Sequence, residues 1–403
     1  MARVLVVTNT PHNPPTSGYS QRVTAVISAL EHAGHLVETV SIKPLISASP
    51  RNHLSSAPAN LWARFRVLRR LSHTPSLSLA KWYSPKACDT LLAITKTWQP
   101  EVVVLESSYL APYATLFNCP VIFDLHNIES QLIANYAKDR GGIIGLAAHL
   151  ESRLLERLEG AIPRQAYGVA TVSETDRALL GGLKGAAGAA VVPAPNGVTD
   201  EAFTVPDQLA EAEAPTAVFI GHLGWRPNID GAKWLARAVW PLVHEALPQA
   251  KLQLIGRDPN PAVAELADAY QGISVHGNVP SVFPYLGSAA VATAPLWTAG
   301  GTRLKILEAL GTGTPVVATS LGALGLETLA ARTEREREAK PATSVMQITD
   351  NPADFAAALL EYLKAPAKSR AARNAAEPFR WHNTLTGLVE MVDNAAGLSD
   401  VKN

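Results

Sequence analysis

The segment Gly300–Gly313, GGTRLKILEALGTG, has residue types and spacing that suit the binding of a diphosphate. Gly300 and Gly301 follow an apolar run and precede a helix that we expect from about Thr302 to Leu310. Glycines at that point leave backbone amides unshielded at the positive end of the helix dipole, where phosphate oxygens are stabilised. The segment therefore predicts an anion site at a strand-to-helix turn.

Three charged side chains follow in the same helix. Arg303 and Lys305 lie in its first turn, where cations oppose the helix dipole, so a bound anion would relieve the local repulsion. Glu308 lies on the same helical side as Lys305, and its carboxylate can accept two hydroxyl hydrogen bonds, as a ribose requires. An ordinary glycine-rich turn with a surface Lys–Glu pair is the alternative, because short glycine motifs are weak signals.

Composition restricts the class of protein. The chain has 403 residues, more than one hydrophobic core usually supports, so we expect two domains. Its 35 Lys and Arg balance 35 Asp and Glu, which disfavours a nucleic-acid partner because nonspecific affinity for polyanions needs excess cations. No stretch approaches the roughly 20 continuous apolar residues of a membrane span. Cys88 and Cys119 are too few for a disulfide framework, so we expect reduced thiols and a cytoplasmic location.

Short runs rich in Val and Ile recur along the chain, separated by helix-length amphipathic stretches. Because the runs are apolar throughout, they suit strands that helices cover on both faces. Strands that alternate with helices imply parallel, doubly wound sheets, and two such series predict an α/β protein with two Rossmann-like domains. The runs are Val4–Thr8, Val37–Ile42, Val102–Glu106, Val121–Leu125, Val169–Ser173, Ala190–Pro193, Ala217–Gly221, Lys251–Gly256, Ile273–His276, Val291–Leu296, Pro315–Ser320 and Ser344–Ile348.

Composition shifts also predict the domain boundaries. We place an N-terminal domain at 1–200, an acidic, proline-flanked linker at 201–214, a C-terminal domain at 215–376 and a closing segment at 377–403. Ligands of open α/β sheets bind beyond the carboxyl ends of the strands, so we expect the site in a cleft between facing domains.

Gly18, before the first helix, would let a phosphate or an acceptor approach the backbone; a simple turn is the alternative.

Four segments of the second half carry a resemblance to a known family. They are FIGHLGWRPNIDGAKWL (Phe219–Leu235), LQLIGRDP (Leu252–Pro259), VHGNVPSVFPYL (Val275–Leu286) and APLWTAGGTRLKILEALGTGTPVVATSLGALGL (Ala294–Leu326). With them, the stretch from about Ala217 to Leu326 resembles the nucleotide-sugar domain of the retaining glycosyltransferases of family 4. These enzymes have the GT-B fold, in which two Rossmann-like domains face each other across a cleft.

The resemblance implies roles for individual residues. In the family the last segment carries two glutamates, and Glu308 matches the second, which holds the ribose hydroxyls of the nucleotide. Gly300 stands at the position of the first, which binds the donor sugar in the family. Because glycine has no carboxylate, the resemblance says less about the identity of the sugar than about the activity. His222 and Asp230 stand where the family has an Arg and a Lys for the diphosphate. Arg226 in the same loop is a candidate replacement, with a surface role as the alternative.

The N-terminal half matches the family in part. FDLHNIES resembles the segment whose histidine, here His126, reaches the donor sugar; a buried histidine bonded to backbone is the alternative. Gly18 matches one of the glycines that the family carries after its first strand. EPFRWHNTL (Glu377–Leu385) resembles the family's closing segment, which implies that the helix in 377–403 crosses back to the N-terminal domain. His12 lies where inverting enzymes of this fold place a general base, so it discriminates inverting from retaining chemistry, with a polar loop residue as the alternative.

The segment 61–71, LWARFRVLRRL, interleaves apolar residues with four arginines. This pattern would suit peripheral contact with an anionic membrane that presents a lipid-linked acceptor, at the inner face of the membrane. A helix that buries its apolar stripe in the cleft and a lid over the acceptor are the alternatives.

The resemblance predicts a retaining, metal-independent glycosyltransferase that needs no cofactor and moves a sugar from a nucleotide-sugar donor, UDP-linked or GDP-linked. The acceptor is a carbohydrate, a lipid-linked sugar or a small molecule. The alternatives are a nucleotide-sugar 2-epimerase or glycan phosphorylase of the same fold, an NAD-dependent oxidoreductase, and a noncatalytic nucleotide-sugar-binding protein. The expected catalytic residues are His126 and Glu308, and the expected donor-binding residues are Gly18, Arg226, Gly300, Gly301, Thr302, Arg303, Lys305 and Glu308.

Overall fold

The computed structural model describes residues 1–14, 17–43, 76–139, 142–206, 214–297, 304–327, 329 and 345–398. Within this part the chain divides into two compact units. Unit 1 comprises Met1–Pro195 and Leu385–Asn403, and unit 2 comprises Asn196–Thr384. The end of the chain therefore belongs to the same unit as its beginning.

Unit 1 contains one parallel sheet with helices around it. Its strands are β1 (Arg3–Thr8), β2 (Leu36–Ser41), β3 (Val102–Leu105), β4 (Val121–Leu125), β5 (Gly168–Thr171) and β6 (Ala190–Pro193). Their order across the sheet is β2-β1-β3-β4-β5-β6. Its helices up to β6 are α1 (Gly18–His32), α2 (Leu77–Trp82), α3 (Pro85–Trp98), α4 (Glu129–Asp139), α5 (Gly142–Gln165) and α6 (Glu174–Gly182), with a 3-10 helix at Ser108–Leu116.

Unit 2 repeats this architecture with its own parallel sheet. Its strands are β7 (Thr216–Ile220), β8 (Lys251–Gly256), β9 (Ile273–Gly277), β10 (Val291–Ala294), β11 (Val316–Ala318) and β12 (Met346–Ile348), in the order β12-β11-β10-β7-β8-β9. Its helices are α7 (Asp200–Thr204), α8 (Arg226–Trp234), α9 (Trp240–Ala246), α10 (Pro261–Ala264), α11 (Leu266–Ala269), α12 (Phe283–Ser288), α13 (Leu304–Gly311), α14 (Pro352–Lys364), α15 (Arg370–Ala376) and α16 (Trp381–Thr384). A π-helical turn, Leu235–Val239, continues α8, and a 3-10 turn, Glu377–Phe379, follows α15. The last helix, α17 (Thr386–Ala395), contacts β5 and β6 of unit 1.

The two parallel sheets confirm the predicted α/β architecture, and each of the twelve predicted runs coincides with a strand to within two residues at either end. Strand β7 shows why the prediction succeeds, since all of its residues are buried. Ala217 and Phe219 lie in one apolar cluster, and Val218 and Ile220 lie in another. Helices thus cover both faces of the sheet, which requires a run without polar alternation. None of the helices in the described ranges combines the length with the apolar character that a bilayer span requires.

Strand register places charged residues together at the carboxyl edge of the sheet in unit 1. Leu105, the last residue of β3, pairs with Phe123 of the neighbouring strand β4. The next positions on the two strands, Glu106 and Asp124, are therefore adjacent. His126 follows β4 directly, so three titratable side chains gather at this edge.

The stretch predicted as a linker, 201–214, begins with helix α7, whose Ala202 is buried. A side chain at Gly311 of α13 would meet the Cβ of Ala202 at 2.9 Å, so α7 packs closely on α13 within unit 2. Ala202 and Phe203 lie against Gly311 of α13, so the apolar residues of this acidic stretch pack within unit 2. Residues 207–213 lie outside the described part of the chain.

Candidate functional site

The turn between β10 and α13 is the place where the sequence predicts a diphosphate site. Residues 298–303 lie outside the described part of the chain, so Gly300, Gly301, Thr302 and Arg303 receive no structural account. The described part of the segment begins at Leu304 and contains both remaining candidates, Lys305 and Glu308.

Helix α13 forms because its apolar residues, Ile306, Leu307, Ala309 and Leu310, are buried against the sheet of unit 2. It ends at Gly311, and Gly313 beyond it has a φ of 75°, a conformation that favours glycine. Glu308 lies in this helix with only 8% of its surface exposed. A carboxylate held this close to an apolar core loses hydration, so hydrogen bonds from ligand hydroxyls would be stronger there than at the surface.

Lys305 is fixed by a contact that the sequence analysis did not identify. Its Nζ donates a hydrogen bond to Oδ1 of Asn228 at 2.8 Å and lies 4.5 Å from the centre of the Phe219 ring. Asn228 is 97% buried, and its Nδ2 donates to the carbonyl oxygen of His222 at 3.0 Å. Lys305 therefore lies beside the loop that follows β7, at the carboxyl edge of the sheet in unit 2.

Gly221, directly after β7, leaves the space that this arrangement needs. A Cβ at Gly221 would lie 2.7 Å from Nδ2 of Asn228 and 3.0 Å from Nζ of Lys305. The first distance is shorter than Cβ contacts in proteins and the second is tighter than most, so a larger residue would push against both Asn228 and Lys305. The glycine is thus part of the Lys305 site.

The candidate replacement cation in this loop, Arg226, is the first residue of α8. Its Nε donates to Oδ2 of Asp230 at 2.6 Å, one helical turn later, and its side chain is 71% exposed. His222 lies with its Nε2 3.3 Å from Oδ2 of Asp258. His222 and Asp230 are the two positions that depart from the family pattern. Each has a nearby partner, Asp258 for His222 and Arg226 for Asp230.

In unit 1, Gly18 is the first residue of α1, whereas the sequence predicts a helix that begins just after it. Ser17 precedes it, accepts a hydrogen bond from the backbone N–H of Ser20, and has its own backbone N–H bonded to the Ser20 hydroxyl. This capping box fixes where the helix begins. The same helix carries Tyr19 and Arg22 toward the carboxyl edge of the sheet.

Arg22 and Asp124 form a buried ion pair at that edge. The Nε of Arg22 donates to Oδ2 of Asp124 at 2.7 Å, and Nη2 donates to Oδ1 at 2.6 Å. Their side chains are 1% and 0% exposed. Both carboxylate oxygens are engaged by one planar guanidinium, which is the geometry in which Arg pairs most strongly with a carboxylate.

His126 lies against this pair and against a second buried carboxylate. Its Nε2 is 2.9 Å from Oε2 of Glu106 and 3.6 Å from Oδ2 of Asp124. The His126 side chain is 12% exposed, whereas Glu106 is fully buried. The ring of Tyr19 lies 4.8 Å from the imidazole, centre to centre. His126 is thus bonded to a carboxylate rather than to backbone.

Burial and charge set the protonation states of these groups. Burial alone would raise the pKa of Asp124, but the charge and hydrogen bonds of Arg22 outweigh it and lower that pKa. Burial, followed by repulsion from Asp124, raises the pKa of Glu106 above its ordinary value. Burial lowers the pKa of His126, but its hydrogen bonds with the two carboxylates prevail and raise it. One carboxylate is therefore firmly ionised, and the other shares a proton with His126.

Glu106, Asp124 and His126 have ligand atoms within 4.8 Å of one another, a spacing that a metal ion could use. The donor set does not fit a cation, however, because both oxygens of Asp124 already accept hydrogen bonds from Arg22. A metal ion among them would lie against a buried guanidinium charge. We therefore interpret the three residues as a hydrogen-bonded network.

Buried polar atoms without partners lie at the same edge of the sheet. Within the described part of the chain, Nδ2 of Asn9, Oε1 of Glu106 and Oγ of Ser108 have no hydrogen-bond partner. Asn9 follows β1, and Glu106 and Ser108 follow the adjacent strand β3. Unpaired buried polar groups are rare in folded proteins, and each of these atoms can bond with a ligand group or with an ordered water. Two donors and an acceptor suit the hydroxyl groups of a sugar or polyol.

A second buried glutamate holds the segment after His126. Glu159 of α5 accepts hydrogen bonds from the backbone N–H of Glu129 at 2.7 Å and of Ser130 at 3.1 Å. It thereby satisfies orphan donors at the start of α4. His12, the other histidine considered, has its backbone oxygen bonded to Thr24 at 3.4 Å and has no bond to the network among the described residues.

Two family models match the sequence. The model described as "Glycosyl transferase 4-like domain" matches residues 17–197, and the model described as "Glycosyl transferases group 1" matches residues 214–365. Together they cover most of the chain, and the second lies wholly within unit 2. Comparison with curated proteins gave no match.

Solved structures with a similar fold include three sugar-related proteins. Sucrose-phosphate synthase from Thermosynechococcus elongatus has a TM-score of 0.68 and 17% identity over 98% of this chain and 99% of that chain. HepE from Anabaena, solved in complex with UDP-glucose, has a TM-score of 0.60 and 13% identity over 98% and 100%. A UDP-forming α,α-trehalose-phosphate synthase from Burkholderia xenovorans has a TM-score of 0.59 and 13% identity over 100% of both chains. At these identities the likeness shows the fold.

Proposed function

Since the chain belongs to the group 1 glycosyl transferases and has the GT-B fold of a glycosyltransferase, we propose that it moves a sugar from a UDP-linked or GDP-linked donor, with retention of anomeric configuration. The acceptor is a glycan, a lipid-linked sugar or a small molecule. The observation that carries the proposal is the buried Glu308, on the same helix as a lysine that Asn228 fixes beside the β7 loop.

The donor's nucleotide diphosphate is bound by unit 2 in this proposal. Glu308 accepts hydrogen bonds from the ribose hydroxyls, and Lys305 meets the diphosphate together with the start of α13. Arg226 and Arg303 supply further positive charge. The diphosphate needs no metal ion, because fixed cations and backbone amides neutralise it.

UDP is the preferred nucleotide in this proposal. The HepE structure was solved with UDP-glucose, and the trehalose-phosphate synthase is described as UDP-forming. The sugar is left unnamed, since Gly300 supplies no carboxylate to select it. In unit 1, His126 and the unpartnered Asn9 meet hydroxyl groups of the reacting sugars.

A panel of nucleotide sugars tests the proposed function. A ligand that binds only the folded state raises the melting temperature, by an amount that grows with its concentration relative to Kd. We expect UDP-sugars to give the largest rise, and the anomeric proton coupling of the product to show retention. No stabilisation by any nucleotide sugar, or a product of inverted configuration, would contradict the proposal in its donor or its stereochemistry.

A nucleotide-sugar 2-epimerase and a noncatalytic nucleotide-sugar binder are the competing functions. An epimerase exchanges the sugar's C2 proton with solvent deuterium in the absence of an acceptor. A binder shows the same thermal stabilisation but no turnover and no slow donor hydrolysis. Transfer to an acceptor, without exchange at C2, separates the proposed function from both.

Lys305 and Gly221 give a specific prediction for the diphosphate. Lys305→Ala is expected to raise the Kd for UDP roughly tenfold, because a hydrogen bond to a charged group contributes about 1.5–3 kcal/mol. Gly221→Ala should act in the same direction, since its methyl group displaces Nζ of Lys305. Binding of uridine, which has no phosphate, should not change. The matched control is Lys251→Ala, at the opposite end of β8, and equal losses for UDP and uridine would refute the role.

Contact with an anionic membrane belongs to the proposal, as the way in which a lipid-linked acceptor is reached from the cytoplasm. The segment 61–71, for which the sequence suggests this contact, lies outside the described residues. Helix α5 supports the contact independently, because Ile143, Ile144, Leu146 and Leu150 at its start are 58–87% exposed. Arg153, which follows on the same helix, is exposed and can meet lipid phosphates.

We expect the double variant Ile143→Glu with Leu146→Glu to reduce binding to phosphatidylglycerol vesicles at least about tenfold, since burial of each side chain contributes about 1.5–3 kcal/mol. Vesicle flotation measures this. The control is Leu242→Glu, which alters a 42% exposed apolar residue in unit 2 and should leave vesicle binding unchanged. Equal flotation of the wild type and the double variant would remove α5 from the proposal.

A further inference from the structure

Two carboxylates contact His126, and only one of them is neutralised by an arginine. Both oxygens of Asp124 accept hydrogen bonds from Arg22, whose charge balances that of Asp124. Glu106 has no cationic side chain bonded to it in the described part of the chain apart from His126. Its Oε2 bonds with Nε2 of His126 at 2.9 Å, and its Oε1 is unpartnered.

We propose that Glu106 is a positioning residue, which holds the Nε2 proton of His126 and so leaves Nδ1 as the nitrogen that meets a hydroxyl of the bound substrate. The proposal rests on the proposed function and identifies how the histidine takes part in it. Among the described residues, Nδ1 of His126 has no hydrogen-bond partner, whereas Nε2 lies between two buried carboxylates. When Glu106 and Asp124 are both ionised, they can only accept hydrogen bonds, so the neutral ring then carries its proton on Nε2.

Packing restrains the orientation of the His126 ring, in addition to the hydrogen bond that sets its tautomer. Tyr19 of α1 lies 4.8 Å from the imidazole at an angle of 35°, and its hydroxyl accepts a hydrogen bond from the backbone N–H of Asn9 at 2.7 Å. Burial raises the pKa of Tyr19, so its hydroxyl stays neutral. The ring of His126 is thus restrained by Tyr19 on one side and by Glu106 at Nε2.

The charged groups that face His126 come from four elements. Glu106 follows β3, Asp124 lies in β4, Arg22 is on α1, and Glu129 begins α4. Because Arg22 compensates Asp124, Glu106 is the main source of uncompensated negative charge at the ring. Without the charge of Glu106, His126 would lose one of the two carboxylates that raise its pKa against the opposing effect of burial, so that pKa would fall.

The role of Nδ1 in the reaction depends on whether this nitrogen carries a proton. At a pH above the pKa of His126, Nδ1 accepts a hydrogen bond from a substrate hydroxyl. At a lower pH the proton on Nδ1 makes it a donor, and the acceptor role is lost. Sugar transfer is therefore expected to rise with pH through the pKa of His126. A variant with a lower His126 pKa should show that rise at a lower pH.

The test is Glu106→Gln, which keeps the shape and an oxygen that can accept the Nε2 proton but removes the charge. NMR titration of the His126 imidazole is expected to show a pKa lowered by about one unit, the size of a neighbouring-charge effect, and the acidic limb of kcat should shift with it. KM for the donor should change little. The matched control is Glu151→Gln, another hydrogen-bonded glutamate of unit 1, which should leave both values unchanged.

A second measurement needs no variant. The ¹⁵N chemical shifts of His126 in the wild-type protein at high pH should show a protonated Nε2 and an unprotonated Nδ1. The opposite tautomer, or an unchanged His126 pKa in Glu106→Gln, overturns the proposal. Failure of the proposed function would be recognised separately, because the wild-type protein would then transfer sugar from no donor while the NMR results stood.

Discussion

Replacing Glu308 by alanine is expected to weaken the binding of the donor about 100-fold and to leave the protein folded. The carboxylate would otherwise accept two hydrogen bonds from the ribose, and bonds to a charged group contribute about 1.5–3 kcal/mol each. Glu308 is 8% exposed, so water replaces the lost contacts poorly. The donor Kd, measured by calorimetry, and KM for the donor should rise together, with a smaller change in kcat.

Two further variants give this prediction its controls. Glu308→Gln retains one oxygen acceptor without the charge, so its donor Kd should lie between those of the wild type and the alanine variant. Glu265→Ala removes an exposed glutamate elsewhere in unit 2 and should have no effect. If Glu308→Ala bound and used the donor as the wild type does, Glu308 would have no part in nucleotide recognition.

Replacing Arg22 by methionine is expected to lower the free energy of unfolding of unit 1 by about 3–5 kcal/mol, the effect of leaving one partner of a buried ion pair alone. Asp124 would lose its cationic partner in a fully buried site beside the carboxylate of Glu106, where keeping the charge and taking up a proton both cost free energy. A urea titration measures the change through the shift in midpoint at constant slope.

The double variant Arg22→Met with Asp124→Leu separates the ion pair from the packing. It removes both charges and fills the space with apolar groups, so it should recover most of the lost stability. Arg22→Lys keeps the charge but offers no planar pair of donors, and we expect an intermediate loss. A loss below about 1 kcal/mol in Arg22→Met would mean that water or another cation compensates Asp124.

The strands could be predicted because each is apolar over its whole length. The run VIFDL shows both the strength and the limit of that signal. Its apolar residues predict β4 at Val121–Leu125, as observed. Asp124 within it is a charge in a buried strand, which implies a buried cation but not its place in the chain. The partner, Arg22, lies about a hundred residues earlier on another element.

The sequence predicts individual residues of the candidate site but not the contacts between them. The position of His126 after β4 follows from the sequence, whereas its bond to Glu106 depends on the register of β3 and β4, which no local pattern specifies. Asn228 was missed for the same reason, since Lys305 meets it only through the fold of unit 2. Glu106 could have been recognised from the sequence, because it is the charged last residue of an apolar run that predicts a strand.

Discrimination between UDP and 2′,3′-dideoxy-UDP tests the central claim most directly, because the two ligands differ only in the ribose hydroxyls that Glu308 is proposed to bind. Calorimetry on the wild type and on Glu308→Ala completes a cycle in which only that contact is varied. We predict that the wild type binds UDP about 100-fold more tightly, and that Glu308→Ala binds the two ligands within about twofold of each other. Equal discrimination by both proteins would contradict the account, since the ribose would then be recognised without Glu308.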